Sequence, residues 1–180
     1  MKIVGMIPAR LGSKRLARKN LQDLNGHPLI SYAIGALQKI QLVTEVYVST
    51  EAKEIAETAH NYGAMAIMRP PALAEDHVRS QDVFQHFATE VEFDVLVVVQ
   101  ANSPNVKSSN IEKGINLLLD NNLWEVRSVN KQGLENGAFW ILKRDTITWE
   151  GLSCYFGVVT DDAVDIHTEA DLKAAKEMMN

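Results

Sequence analysis

The chain has 180 residues, 46% hydrophobic and 23% charged, a globular composition that allows one sizeable core and excludes a disordered or fibrous chain. The net charge of −5 is unevenly spread: residues 1–22 hold six basic and no acidic residues, and the remainder carries twelve basic against 23 acidic. A cationic start on an acidic body argues for a local anion site and against a nucleic-acid surface, which needs a broad basic face.

In chain order, Lys2 to Pro8 reads as a buried first strand. Residues 9–27 form a polar, basic loop. Pro28 suits the first turn of a helix reaching Ile40, with Leu29, Tyr32, Ala33, Ala36, Leu37 and Ile40 on one face. Glu45–Ser49 alternates as a strand. Thr50 is the expected cap of a helix over Ala52–Tyr62, which Gly63 ends. Ala64–Met68 is a third strand, broken by Arg69-Pro70-Pro71. Residues 80–90 read as helical. The apolar run Phe93–Val99 reads as a central strand covered on both faces. Ser109 and Glu112 match a capping box for a helix over 110–121. Val126–Val129, Ala138–Leu142 and Ser153–Val159 are later strands, and Thr168, with Asp171 as its capping partner, starts a last helix over 169–179.

This alternation predicts one α/β domain over 1–180, a doubly wound and mostly parallel, Rossmann-like sheet. Ligands of such sheets bind outside the carboxyl ends of the strands, so the site is expected in the loops after Ile7, Met68 and Val99. The single cysteine, Cys154, allows no internal disulfide. No apolar run approaches the roughly 20 residues needed to span a bilayer, and the first apolar stretch is too short for a signal-peptide core. A cytoplasmic location follows as the expectation.

The first loop reads Ile7-Pro8-Ala9-Arg10-Leu11-Gly12-Ser13-Lys14, with Lys19-Asn20 further on. Gly12 permits close backbone approach, Ser13 offers a hydroxyl, and Arg10, Lys14 and Lys19 can neutralise a triphosphate. The Walker A spacing is absent. A solvated basic loop is the alternative on composition; its place after the first strand favours a site. Arg69 can simply end a strand, but Pro70-Pro71 fix its direction and favour a site; Ser80 can equally be a helix N-cap, and Asn102-Ser103 before Pro104 can be a plain turn. Trp124, Trp140 and Trp149 are expected in the core. His27, His60, His77 and His86 have no metal-like spacing.

These segments resemble the acylneuraminate cytidylyltransferase family, with its relatives the 3-deoxy-manno-octulosonate cytidylyltransferases. The likeness rests on the first loop; on Arg69-Pro70 with Leu73-Ala74, Asp76 and Ser80; on Gln100-Ala101-Asn102-Ser103-Pro104; on Asn136-Gly137-Ala138-Phe139-Trp140; and on Ala163 to Leu172. It implies a nucleotide-diphospho-sugar transferase-like fold and transfer of CMP from CTP to a nonulosonic acid-like sugar acid, with release of pyrophosphate. By the same resemblance, Arg10 and Lys14 hold the phosphates with Ser13. Ala9, Gly12, Lys19 and Asn20 complete that loop around the nucleotide. Arg69 and Ser80 serve the base and ribose end, and Gln100 faces the sugar acid or the reacting centre. Asp165 carries magnesium, with His167 as the second candidate ligand and manganese as the alternative ion. Arg10, Lys14, Gln100 and Asp165 are the implied catalytic residues.

The sequence departs from the family at three points. His167 stands where a second aspartate is usual. The stretch between Pro104 and Asn136 is short and lacks the arm that pairs subunits, which leaves a homodimer possible without that arm. Asn105-Val106 replaces the usual Leu-Arg after Pro104, and Asn102 takes the place of an acidic ligand found in octulosonate enzymes. CTP and a sugar acid are the implied partners, with neither nucleic acid nor membrane. Two alternatives stand beside this reading: a sugar-1-phosphate nucleotidyltransferase, and a nucleotide- or sugar-binding protein of the same fold that has lost catalysis.

Overall fold

A computed structural model describes residues 1–149 and 154–179. Its strands and helices follow in order: β1 (Ile3–Pro8), β2 (Asp23–Leu24), β3 (His27–Pro28), α1 (Leu29–Gln38), β4 (Glu45–Thr50), α2 (Lys53–Asn61), β5 (Met65–Met68), α3 (Ser80–Glu90), β6 (Val95–Val99), α4 (Ser108–Asp120), β7 (Glu125–Val129), β8 (Glu135–Lys143), β9 (Phe156–Thr160) and α5 (Glu169–Met178). Seven strands form one sheet in the order β5-β4-β1-β6-β8-β7-β9, and β2 and β3 form a separate small hairpin. β1 pairs in parallel with β4 and β6, and β4 with β5. Only β8 runs against its neighbours β6 and β7, while β9 is again parallel to β7. The expected mostly parallel, two-sided sheet is therefore present.

Period-2 alternation explains the two faces. Ile3 and Ile7 of β1, with Val95, Val97 and Val99 of β6, point to a core shared with Ile30, Ile34 and Leu37 of α1, Ile55 of α2 and Ile111 of α4. Val4, Met6, Leu96 and Val98 point the other way, onto Val83, Phe84 and Phe87 of α3. Gly5 lets α1 sit close, since a Cβ there would stand 2.8 Å from Leu37 Cδ1. A third cluster, Leu16, Leu24, Leu29, Ile166, Leu172 and Ala175, fastens α5 onto the first loop and the hairpin. That packing brings the C-terminal segment back beside the basic loop.

Several local expectations differ from the structure. Residues 9–27 hold a short 3-10 turn at Lys19–Leu21 and the first strand of the hairpin, not an unbroken loop. Pro28 precedes α1 instead of sitting in its first turn. Thr50 ends β4, and its hydroxyl accepts from Ala52 N, two residues ahead of the cap position; Ala52 itself flanks α2. The Ser109–Glu112 box does not form, because α4 begins at Ser108 behind Lys107 without a side-chain cap. Ser80 is the first residue inside α3, not its cap. The Thr168–Asp171 box does form: Thr168 Oγ1 accepts from Asp171 N at 3.2 Å, and Asp171 Oδ2 accepts from Thr168 N at 2.8 Å. Ser153, the expected start of the last strand, lies outside the described residues, and β9 begins at Phe156.

The tryptophans differ from the core expectation unevenly: Trp140 is half-buried against the α3 side of the core, Trp124 is half-buried, and Trp149 is exposed. Trp149 is 52% exposed, and all three line a cleft of about 260 Å³ with Phe84 and Ile147. Phe84 of α3 stands against Trp140 of β8, with ring centroids 6.2 Å apart. Among the described residues, no helix is long and apolar enough to cross a membrane.

Candidate active site

β1 is the point where the sheet reverses its winding: the chain goes from β1 outward to β4 and β5, then returns to β6 on the other side. The loops leaving β1 and β6 therefore diverge and open a crevice at their carboxyl ends. A cleft of about 560 Å³ lies there, lined from the loops after β1, β5 and β6, as the sequence led us to expect. Arg10, Ser13, Lys14, Lys19, Asn20, Arg69, Ser80, Gln100 and His167 all line it. Of the remaining expected residues, Ala9 is buried beneath the loop and Gly12 faces an adjoining lobe. Asp165 reaches the cleft through its partners Asn102 and His167.

The first loop is held from below. Asn20 is buried and donates to Arg10 O at 2.9 Å, closing the loop on itself. Glu51, just after β4, accepts from Leu11 N at 2.8 Å and pairs with Arg69 Nη2 at 3.3 Å. Arg69 Nη2 also donates to Ala9 O at 3.4 Å. The Arg69 side chain is 3% exposed, and burial pulls its guanidinium below the ordinary arginine value, with Glu51 opposing. Its Nε is buried without a partner among the described residues. An orphaned buried donor is costly and attracts an acceptor.

On the opposite wall, Asp76 meets the cations of the first loop. Arg10 Nη2 lies 2.6 Å from Asp76 Oδ1, and Lys14 Nζ contacts Asp76 Oδ2. Lys14 first, then Arg10, holds the Asp76 carboxyl below the usual range. Arg10 also donates to Ala74 O at 2.9 Å. Burial depresses the Lys19 ammonium, with Asp165 opposing and Arg15 and Arg10 adding to the depression. Two of the six early cations are elsewhere: Lys2 pairs with Glu45 at 2.6 Å at the far end of β1, and Arg18 pairs with Glu54.

At the end of the cleft formed by the C-terminal segment, Asp165 and His167 come together but bind one another. His167 Nε2 lies 2.6 Å from Asp165 Oδ2, Asn102 Nδ2 donates to Asp165 Oδ1, and Arg15 Nη2 lies 2.8 Å from His167 Nδ1. A magnesium site wants several oxygen donors converging on one point. Among the described residues, no three His, Cys, Asp or Glu side chains group to hold a metal, and both oxygens of the Asp165 carboxylate are taken by protein donors. Glu51, Asp76 and Arg15 are site residues the sequence reading left without a role. Glu51 had one available signal, its place directly after a parallel strand.

The geometry stands beside three comparisons. A family model described as cytidylyltransferase matches residues 4–137. The chain is 31% identical over 149 residues to N-acylneuraminate cytidylyltransferase A of Danio rerio, covering 82% of this chain and 32% of that protein. It is 34% identical over 121 residues to 3-deoxy-manno-octulosonate cytidylyltransferase of Trichlorobacter lovleyi, covering 67% of this chain and 46% of that one. Against CMP-N,N'-diacetyllegionaminic acid synthase of Legionella pneumophila the identity is 37% over 123 residues, 65% of this chain and 53% of the relative. The chain thus spans about a third to a half of the length of these curated relatives. In fold it is similar to CMP:2-keto-3-deoxy-manno-octonic acid synthetase, solved in complex with CTP, at TM-score 0.86 and 19% identity, covering 99% of this chain and 98% of that one.

Proposed function

The chain belongs to the cytidylyltransferase family, and from that premise we propose that it transfers CMP from CTP to a sugar acid of the nonulosonic type, releasing pyrophosphate. The observation that carries this reading is the cleft at the winding reversal, with Arg10, Ser13, Lys14 and Lys19 along one wall and the buried, orphaned Nε of Arg69 near its floor. The cations suit a triphosphate, and Arg69 with Ser80 suits the acceptor-rich base and ribose end. Relatives named for acylneuraminate, legionaminic and octulosonate sugars support a sugar acid as acceptor; the nonulosonic type is the finer part of the proposal.

In the proposed reaction the acceptor's anomeric hydroxyl oxygen attacks the α-phosphorus of CTP. The bond from that phosphorus to the bridging oxygen breaks, pyrophosphate departs, and the hydroxyl proton passes to solvent. Arg10 and Lys14, once released from Asp76, neutralise the charge that gathers on the leaving group. Ser13 and the closed loop over Asn20 orient the phosphates, and Gln100 at the end of β6 faces the reacting centre. Magnesium enters this scheme as part of the MgCTP substrate. A second reading, nucleotide binding without turnover, is favoured by one observation: His167 occupies Asp165.

The test is calorimetric titration of CTP, ATP, GTP and UTP with magnesium and with manganese, on wild type and Arg10→Ala, followed by pyrophosphate release with a panel of sugar acids. Selective CTP binding lost in Arg10→Ala, with release from a sugar acid, is the expected result. Binding without release from any acceptor favours the second reading. No binding of any triphosphate sinks both.

A further inference from the structure

The Asp165 end of the cleft carries an arrangement of its own. Arginine can only donate hydrogen bonds, so His167 Nδ1, 2.8 Å from Arg15 Nη2, must accept. The ring proton then sits on Nε2 and is donated to Asp165 Oδ2 across 2.6 Å. Asn102 takes the other carboxylate oxygen. The result is a directed chain, Arg15 to His167 to Asp165 and Asn102 to Asp165, in which both imidazole nitrogens and both carboxylate oxygens are engaged.

The neighbouring acids do not relieve it. Asp161 is buried and accepts from Asn110 Nδ2 at 2.9 Å and Ala163 N at 2.9 Å. Asp162 pairs with Lys131 at 2.9 Å, and Asp171 is committed to the start of α5. The groups around Asp165 are cationic or neutral: His167 and Asn102 bond it, Lys19 acts on it through space, and Arg15 stands behind the imidazole. Positive charge at this end of the cleft is therefore built from protein, and a divalent cation placed there would meet two cations and one occupied carboxylate.

We infer that this chain keeps no divalent cation of its own at Asp165, and that the Arg15 guanidinium, positioned by the His167–Asp165 pair, supplies the positive charge facing the phosphates in its place. The inference rests on reading the cleft as a nucleotide site. His167 is then a positioning residue, and Arg15, which lines the cleft, is the group that meets the ligand. Restoring an oxygen ligand at position 167 would remove the hydrogen-bond bridge and open a two-carboxylate site of the kind hard cations prefer.

The experiment is titration of Mn2+ into the nucleotide-free full chain, read by the paramagnetic resonance signal of free manganese. Wild type is expected to bind none up to about 1 mM, the weak end of protein divalent-cation sites, and His167→Asp is expected to bind one ion at least tenfold more tightly than that limit. A stoichiometric wild-type site that disappears in Asp165→Asn overturns the inference. In excess EDTA, Arg15→Ala is expected to lose about tenfold in CTP affinity relative to wild type, and an unchanged affinity overturns the role of Arg15. Failure of wild type to bind CTP in any condition removes the nucleotide reading, and with it the role of Arg15, while the manganese titration still decides by itself whether Asp165 holds an ion.

Discussion

At the scale of single residues, the cleft is furnished with its own counter-ion. Asp76 bridges Arg10 and Lys14, two of the cations that line the cleft. It is an exposed carboxylate, so the pair is screened by water and worth little in stability. Its effect falls on binding, because an incoming triphosphate must displace a charge of its own sign. Asp76→Asn is expected to raise triphosphate affinity roughly two- to fivefold, the modest gain that removing a solvent-screened competitor allows. Calorimetry of CTP on the two proteins checks this, and weaker binding in the variant would mean that Asp76 organises Arg10 and Lys14 instead of competing for them. The roles of Asp76, Glu51 and Arg15 lie in contacts across 18 to 152 positions of sequence. No local pattern encodes such pairs, whereas Arg10, Ser13 and Lys14 were legible because they follow a strand whose apolar run is unmistakable.

At the scale of elements, α5 shows what a short motif can establish. Thr168 and Asp171 were readable as a box from spacing alone, and the reciprocal bonds are present. The Ser109–Glu112 match failed on the same spacing, since α4 starts two residues earlier than that box requires; a cap is decided by where the first turn closes, which packing sets. Thr168→Ala is expected to cost about 1 kcal/mol, a fall of roughly 2–4 °C in Tm for a chain of this size, read by thermal melts. Hydrogen bonds from the His167 and Thr168 backbone hold the Asp171 carboxyl below its usual range. A carboxylate depressed on folding stabilises above its unfolded pKa of about 4 and loses that contribution as pH falls through the folded value. The stability gap between wild type and Asp171→Asn should thus be full at neutral pH and close as the pH is taken well below 4. A gap that persists in acid would show that the box acts without its charge. The tryptophan cleft is the opposite case: apolar bulk alone suggested three core residues, but nothing local says which part of the sheet surface a helix will cover.

At the scale of the whole molecule, the charge distribution sets how an anion arrives. The chain carries a net −5, yet Arg10, Lys14, Arg15 and Lys19 gather at one opening. These two features act over different distances. At about 0.01 M ionic strength the screening length is roughly 30 Å, comparable to the molecule, and an approaching triphosphate feels the acidic body. At about 0.1 M it is roughly 10 Å, and only the cationic mouth is felt near contact. At about 1 M it is roughly 3 Å, and the mouth is screened as well. The association rate of CTP should therefore pass through a maximum near 0.1 M instead of falling steadily. Stopped-flow measurement across that range separates the cases. A monotonic fall means the four cations outweigh the body at every distance. A monotonic rise means the body dominates throughout, and that the first-loop cations act only after contact, by holding phosphates already in place.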